Sequence, residues 1–345
     1  MKMNIIVSLL LCGLFVSALG TLQAQNKRVG TAAATELLIP VGARDIARGG
    51  STLATSSGVE AIHFNPAGLG GMQSSAEGMF SSMSYIADIN VSYGAVAIGF
   101  SGFGVVGFSI KSLDFGDIPL TTEDDPENFT GRTFAPTYIT FGITYAKQLT
   151  DAIAAGGTVK MVSENIDRVS ANGIALDIGI QYKGLVGING LHLGVAVKNI
   201  GPGMKFDGPG LLRDALPTAG SRPVQKLKSD AGTFELPSVV ELGLGYDTRL
   251  ADNVMGSLTG SFTNNNLFLD EYKFGGEISY AMQNIWLFGR AGYQMAPQAD
   301  TDIFGPTFGL GFRYAEGGVD VSIDYAYRQV EFFDANNTFA VKFAF

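Results

Sequence analysis

Apolar and polar residues alternate over long stretches of this chain, and a period of two predicts β-strands. Ile174, Leu176, Ile178, Ile180 and Tyr182 share one face, and Ala175, Asp177, Gly179, Gln181 and Lys183 share the other. Val319, Val321, Ile323, Tyr325 and Tyr327 oppose Asp320, Ser322, Asp324, Ala326 and Arg328. Phe308, Leu310, Phe312 and Tyr314 oppose Thr307, Gly309, Gly311 and Arg313, and Val240, Leu242, Leu244 and Tyr246 oppose Glu241, Gly243, Gly245 and Asp247. One face is uniformly apolar with an aromatic end. The other mixes glycine with charges of both signs. A soluble sandwich would bury the apolar face, but sandwich strands average about 5–6 residues and many of these are about twice as long. About 9–11 residues is the length of a strand that crosses a bilayer.

The alternation supports about 14 strands, over 76–86, 90–100, 103–113, 134–147, 153–167, 172–183, 190–199, 235–248, 253–263, 270–281, 285–295, 303–315, 318–331 and 336–345. Every second strand closes on an aromatic: Tyr145, Tyr182, Tyr246, Tyr280, Tyr314 and the terminal Phe345. A ring of aromatics at one height marks a membrane–water interface. Short connections follow the even strands, and the two long ones, 114–133 and 200–234, follow odd strands. Transmembrane barrels have this parity, with short periplasmic turns and long extracellular loops. The expected fold is therefore all-β, a closed antiparallel transmembrane barrel. Phe343 and Phe345, in an alternating C-terminal strand, match the signal read by outer-membrane assembly machinery.

The N-terminus predicts a secretory signal over 1–24. Lys2 supplies positive charge, Ile5 to Leu19 is apolar, and Ala24 offers a cleavage point, with Gly20 as the second choice. This reading is preferred to a membrane anchor because the apolar stretch is short. The single cysteine, Cys12, lies inside the signal after Leu11, where a lipidated cysteine would follow a small residue. Loss of the signal leaves neither disulfide nor thiol chemistry. The formal charge is −9, without a basic stripe, which excludes nucleic acid as a partner. Mean hydropathy is +0.21, yet past the signal no apolar run is long enough for a helical span. Glycine (46) and phenylalanine (24) are abundant, as suits strands with apolar residues at alternate positions.

Residues 25–75 do not alternate. Thr31 to Ile39 predicts a short helix ended by Pro40, and turns follow at glycines. A periplasmic extension is one reading. A plug is preferred, because the lumen of a barrel of about 14 strands is too wide for its own side chains to fill. The barrel itself is assigned to 76–345.

The run Leu37-Leu38-Ile39-Pro40-Val41-Gly42-Ala43-Arg44, then Arg48-Gly49-Gly50-Ser51, then Phe64-Asn65-Pro66-Ala67-Gly68-Leu69 resembles the N-terminal signature of the PorV/PorQ family, within the wider FadL-like barrels. The plug residues that carry it are Pro40, Gly42, Arg44, Gly49, Gly50, Asn65, Pro66 and Ala67. The resemblance implies the outer membrane of a Gram-negative, Bacteroidetes-like bacterium and two functions. A PorV-like barrel carries exported cargo or binds subunits of a type IX-like secretion complex. A FadL-like barrel takes up long-chain fatty acids or other hydrophobic compounds. The carrier is the leading expectation and uptake the alternative. A purely structural barrel in a larger complex is the third class.

Candidate chemistry is sparse. His63, in the plug, and His192, at a strand start on the inward face, have no third ligand at metal spacing, so no metal or other cofactor is expected. No serine stands in a nucleophile-elbow context, so no catalytic residue and no enzyme is expected. Asp114, Asp117, Glu123, Asp124, Asp125 and Glu127 crowd the first long loop without the ligand spacing of a calcium site, and are read as a solvated acidic loop. Lumenal charges of both signs, including Lys111, Asp177, Lys198, Glu241, Lys273, Glu277, Arg290 and Asp324, are read as ion pairs between strands and plug, since a selective pore shows one dominant sign. Phe206, Leu211, Leu212 and Leu216 put apolar surface into the second long loop. They line a groove for an apolar ligand, dock a protein, or pack back over the barrel mouth.

Overall fold

The computed structural model describes residues 30–215, 223–299 and 302–345. The signal segment 1–24, Cys12 and Leu216 lie outside them. Fourteen antiparallel strands close into one barrel, each paired with its chain neighbours. They are β1 (Ala76–Ser84), β2 (Asn90–Phe100), β3 (Gly104–Asp114), β4 (Thr137–Gln148), β5 (Ile153–Ile166), β6 (Val169–Lys183) and β7 (Leu191–Ile200). The second half is β8 (Val239–Ala251), β9 (Val254–Asn265), β10 (Glu271–Met282), β11 (Ile285–Met295), β12 (Phe304–Glu316), β13 (Val319–Val330) and β14 (Asn336–Ala344). Closure is made by β1 on β14, with Phe80 opposite Val341. Phe345 extends that seam: its carbonyl accepts from the Ser75 and Ala76 amides.

The faces follow the alternation. On β6, Ile174, Ile178 and Ile180 are about half exposed around the outside, whereas Asp177 and Gln181 are buried within. An apolar outer band with a buried polar interior suits a barrel in lipid and inverts the order of a water-soluble one. Tyr145, Tyr246, Tyr280, Tyr314 and Phe345 are all exposed on the outside, at the end where the short turns lie. The described parts of the long connections, 115–136, 201–215 and 223–238, lie at the opposite end. Hairpins within them pair Ile118–Pro119 with Thr133–Phe134, and Leu212–Ala215 with Gln225–Lys228.

Besides a register shift at Arg249–Ala251 where β8 meets β9, the wall is irregular in two places. Pairing of β11 with β12 stops at Gly292 opposite Thr307, although β11 continues to Met295 and β12 starts at Phe304. Pro306 lies in that unpaired stretch and has no amide to donate. The second irregularity is a register shift between β6 and β7, where Asn199 takes a left-handed conformation and its amide turns to the Asp177 carboxylate at 2.8 Å.

Candidate functional site

Residues 32–72 run through the lumen from the long-loop end to the short-turn end. Near the long loops, the Ala33 amide donates to Glu235 O and the Ala34 amide to the Glu164 carboxylate at 2.8 Å. Lys111 Nζ donates to Glu36 O and Ile39 O. These bonds hold the backbone in an open form, and only one 3₁₀ turn, Thr35–Leu38, forms where a longer helix over Thr31–Ile39 was expected. Ala34, left-handed with φ 51°, ends the helical path on its N-terminal side. The chain then makes two one-turn helices, α1 (Ala43–Ile46) and α2 (Ala61–Phe64), and leaves past Met72 beside the short turns.

The inward glycines of the strands explain how the plug fits. A Cβ on Gly194 would stand 2.5 Å from Leu53 O, and one on Gly156 would stand 2.5 Å from Pro66 O. Gly179 faces Asn65, Gly275 and Gly292 face Arg48, and Gly309 faces Ala47, all too close for a Cβ. These inward glycines are thus the footprint of the plug on the wall.

The signature residues lie along this path. Gly42 (φ 82°) caps α1, and Gly49 and Gly50 turn the chain against the backbones of Phe274 and Tyr293. Asn65 is fully buried. Its Nδ2 donates to Leu53 O and Ile180 O, tying the plug to itself and to β6, and its Oδ1 accepts from the Ala67 amide. Pro66 opens the 3₁₀ turn Pro66–Gly71 against β4 and β5. Arg44 pairs with Glu60 at 3.3 Å and with Glu277 of β10 at 3.5 Å. Pro40 is half-buried between the 3₁₀ turn and α1.

The lumenal charges form ion pairs of mixed sign. Arg290 bridges Glu277 (2.6 Å) and Asp324 (2.5 Å), and Lys342 reaches Glu60 (3.7 Å). Nearer the long loops, Lys160 meets Asp177 (2.5 Å), and Lys198 and Lys273 share Glu241. His192 lies 3.2 Å from Asp247 near the short-turn end, far along the plug path from His63. Among the described residues no cluster of three metal-ligating side chains occurs. In the acidic loop, Asp125 accepts from the Phe129 and Thr130 amides and the Thr130 hydroxyl, which makes it a loop cap.

The mouth at the long-loop end has two sides. On one, Phe206 packs with Met204 and Leu236 onto Ala33, Ala34 and Leu37, so this part of the second long loop closes over the plug. Leu211 is half-buried and Leu212 exposed. On the other side lies an apolar cluster. Tyr85, Ile89, Phe115 and Tyr138 are partly buried around a floor of Ile39, Ile46, Met83, Val91 and Leu113. The Phe115 and Tyr138 rings meet edge to face at 4.8 Å, and Tyr85 lies 6.2 Å from Phe304, in the unpaired stretch of β12. The alternation could have pointed here: Tyr138 falls on the inward, polar face of β4, where an aromatic breaks the pattern.

The fold is a closed 14-strand barrel with an N-terminal plug, the architecture of FadL-like outer-membrane channels. The toluene transporter TbuX of Ralstonia pickettii superposes with a TM-score of 0.57 at 14% identity, over 88% of this chain and 98% of its own. The toluene transporter TodX of P. putida gives 0.55 at 13% identity, over 88% and 98%. A FadL homologue of Pseudomonas aeruginosa gives 0.51 at 11%, over 89% and 98%. No family model and no curated protein matches the chain. The likeness is to FadL-like barrels as a fold, and nothing in it reaches the narrower PorV/PorQ family.

Proposed function

We propose that this protein is a non-enzymatic outer-membrane channel of a Gram-negative cell that takes up hydrophobic molecules, with the long loops outside. The observation that carries the proposal is the cluster of Tyr85, Ile89, Phe115, Tyr138 and Phe304, partly buried apolar and aromatic side chains gathered at the long-loop end of the lumen, with the Arg328 guanidinium over the Phe304 ring. A pore for ions or sugars has no use for such a lining, whereas an apolar solute gains about 25 cal/mol for each Å² it buries there. The lumenal charges behind the cluster pair largely with each other and with the plug, which suits a closed gate better than a selectivity filter. Names of structural neighbours point the same way: two are toluene transporters.

The PorV-like reading now rests only on the signature in the plug. The loop expected to dock cargo spends Phe206 on closing the mouth, which leaves the carrier with less exposed apolar surface than the sequence implied. One experiment separates the two. The purified barrel is titrated with a fluorescent long-chain fatty acid, and gentle extraction from native membranes tests for a bound secreted protein. Ile89→Asp and Tyr138→Asp are expected to abolish probe binding, while Leu212→Asp leaves it intact. Undiminished binding in both cluster variants would overturn the uptake proposal, and loss of a secreted partner on Leu212→Asp would favour the carrier.

A further inference from the structure

Between the plug and the wall, in the long-loop half of the lumen, lies a small, partly open cavity. About 20 Å³ of it is open to the centre of a water-sized sphere, which is room for one water or one ion of similar size. Its polar lining is rich in donors: the amino groups of Lys111 and Lys160, the hydroxyls of Tyr93, Ser109, Thr140 and Thr158, and the ring of His63. No carboxylate lines it. Tyr93 and Thr140 are 4% and 7% exposed; the Thr140 hydroxyl has no hydrogen-bond partner, and the Tyr93 hydroxyl has only the neighbouring Ser109 hydroxyl, without good hydrogen-bond geometry. Two buried hydroxyls so poorly satisfied on one cavity are costly unless something in it meets them.

Lys111 makes the same demand. It is 5% exposed and spends two of its three protons on Glu36 O (2.6 Å) and Ile39 O (3.1 Å). Among the described residues it has no carboxylate in ion-pair contact, whereas Lys160 is answered by Asp177 and Asn199. His63, on the plug, senses the resulting field. Burial first, then Lys111, Lys198, Lys160 and Lys273, hold its ring well below the ordinary imidazole value.

We propose that this cavity binds a single monovalent anion of halide size, held by Lys111 and the hydroxyls of Tyr93 and Thr140. A water molecule fits the space but does not balance a buried ammonium, and a tetrahedral oxyanion exceeds the volume. Such an ion acts as a rivet. Leu37, Ile62 and His63 approach it from the plug, and Tyr93, Lys111 and Thr140 approach it from β2, β3 and β4. The site is independent of whatever passes the mouth.

Bromide is the probe. Crystals of the folded barrel soaked in sodium bromide are expected to show an anomalous peak in the cavity. In detergent, exchanging sodium gluconate for sodium bromide at equal ionic strength is expected to raise the Tm by roughly 2–4 °C. Both effects should vanish in the double variant Tyr93→Phe, Thr140→Val, which keeps the shapes and removes the hydroxyls, and in Lys111→Met if that variant folds. An empty or water-filled cavity in bromide, or an unchanged Tm difference in the double variant, overturns the proposal.

Discussion

Alanine at Gly194 adds one methyl group to the inner face of β7, and the plug leaves no space for it. The new Cβ would lie 2.5 Å from Leu53 O, 2.7 Å from Leu53 C and 2.8 Å from Ala54 Cα, all backbone atoms that no rotamer change can move. Leu53 O accepts from Asn65 Nδ2 (3.0 Å) and from Gln181 Nε2 (3.0 Å), so moving it strains the two bonds that fasten this part of the plug to itself and to β6. Overpacking costs about 1–3 kcal/mol, and weakening two buried hydrogen bonds adds about 1 kcal/mol each at most. Relief of glycine's unfolded-chain entropy returns about 0.4–1 kcal/mol. The expected net loss is about 2–4 kcal/mol. Gly289→Ala is the control. It lies mid-strand on β11, facing outward, with nothing within 4 Å of the added Cβ, and should be neutral or slightly stabilising. Urea unfolding of the barrel in detergent reads the energy, and protease digestion reads release of the plug. Equal losses for the two variants, or a neutral Gly194→Ala with a fully protected plug, would refute the view that inward glycines exist to seat the plug.

Two further outcomes follow from the wall and from the outer end of the plug. Leu310 is 69% exposed in mid-strand on the outer face, so Leu310→Arg should cost about 2–4 kcal/mol in lipid by the same unfolding assay; no loss would argue against a membrane-facing surface. Burial, and then the Glu164 carboxylate, push the Glu36 carboxyl from its usual 4.5 up to about 8. A carboxyl raised on folding contributes stability that is full below about 4.5 and is lost as pH rises through about 8. Protease release of residues 31–39 should therefore increase across that window and flatten in Glu36→Gln, and an unchanged profile in that variant would count against the assignment.

The barrel was legible because its signals are local. Strand alternation has period two, so each of Ile174 to Lys183 declares its face without knowledge of any other segment. Loop lengths and strand-end aromatics then set the parity of the two ends. The plug signature was equally readable as residues, but not as a path. Nothing near Ala34 in sequence says that Glu164, 130 positions on, accepts its amide, and that distant bond helps to limit the expected helix to a single turn. Alternation puts Gly194 inward and Gly289 outward, but only the structure shows that Gly194 touches the plug backbone and that Gly289 meets open space. The pairing of Arg290 with Glu277 and Asp324, the cluster that gathers Tyr85, Phe115, Tyr138 and Phe304, and the cavity at Lys111 all join residues from separate strands, loops and the plug. Such contacts depend on how a closed sheet and an inserted chain share one volume, and close packing settles them only once both are in place.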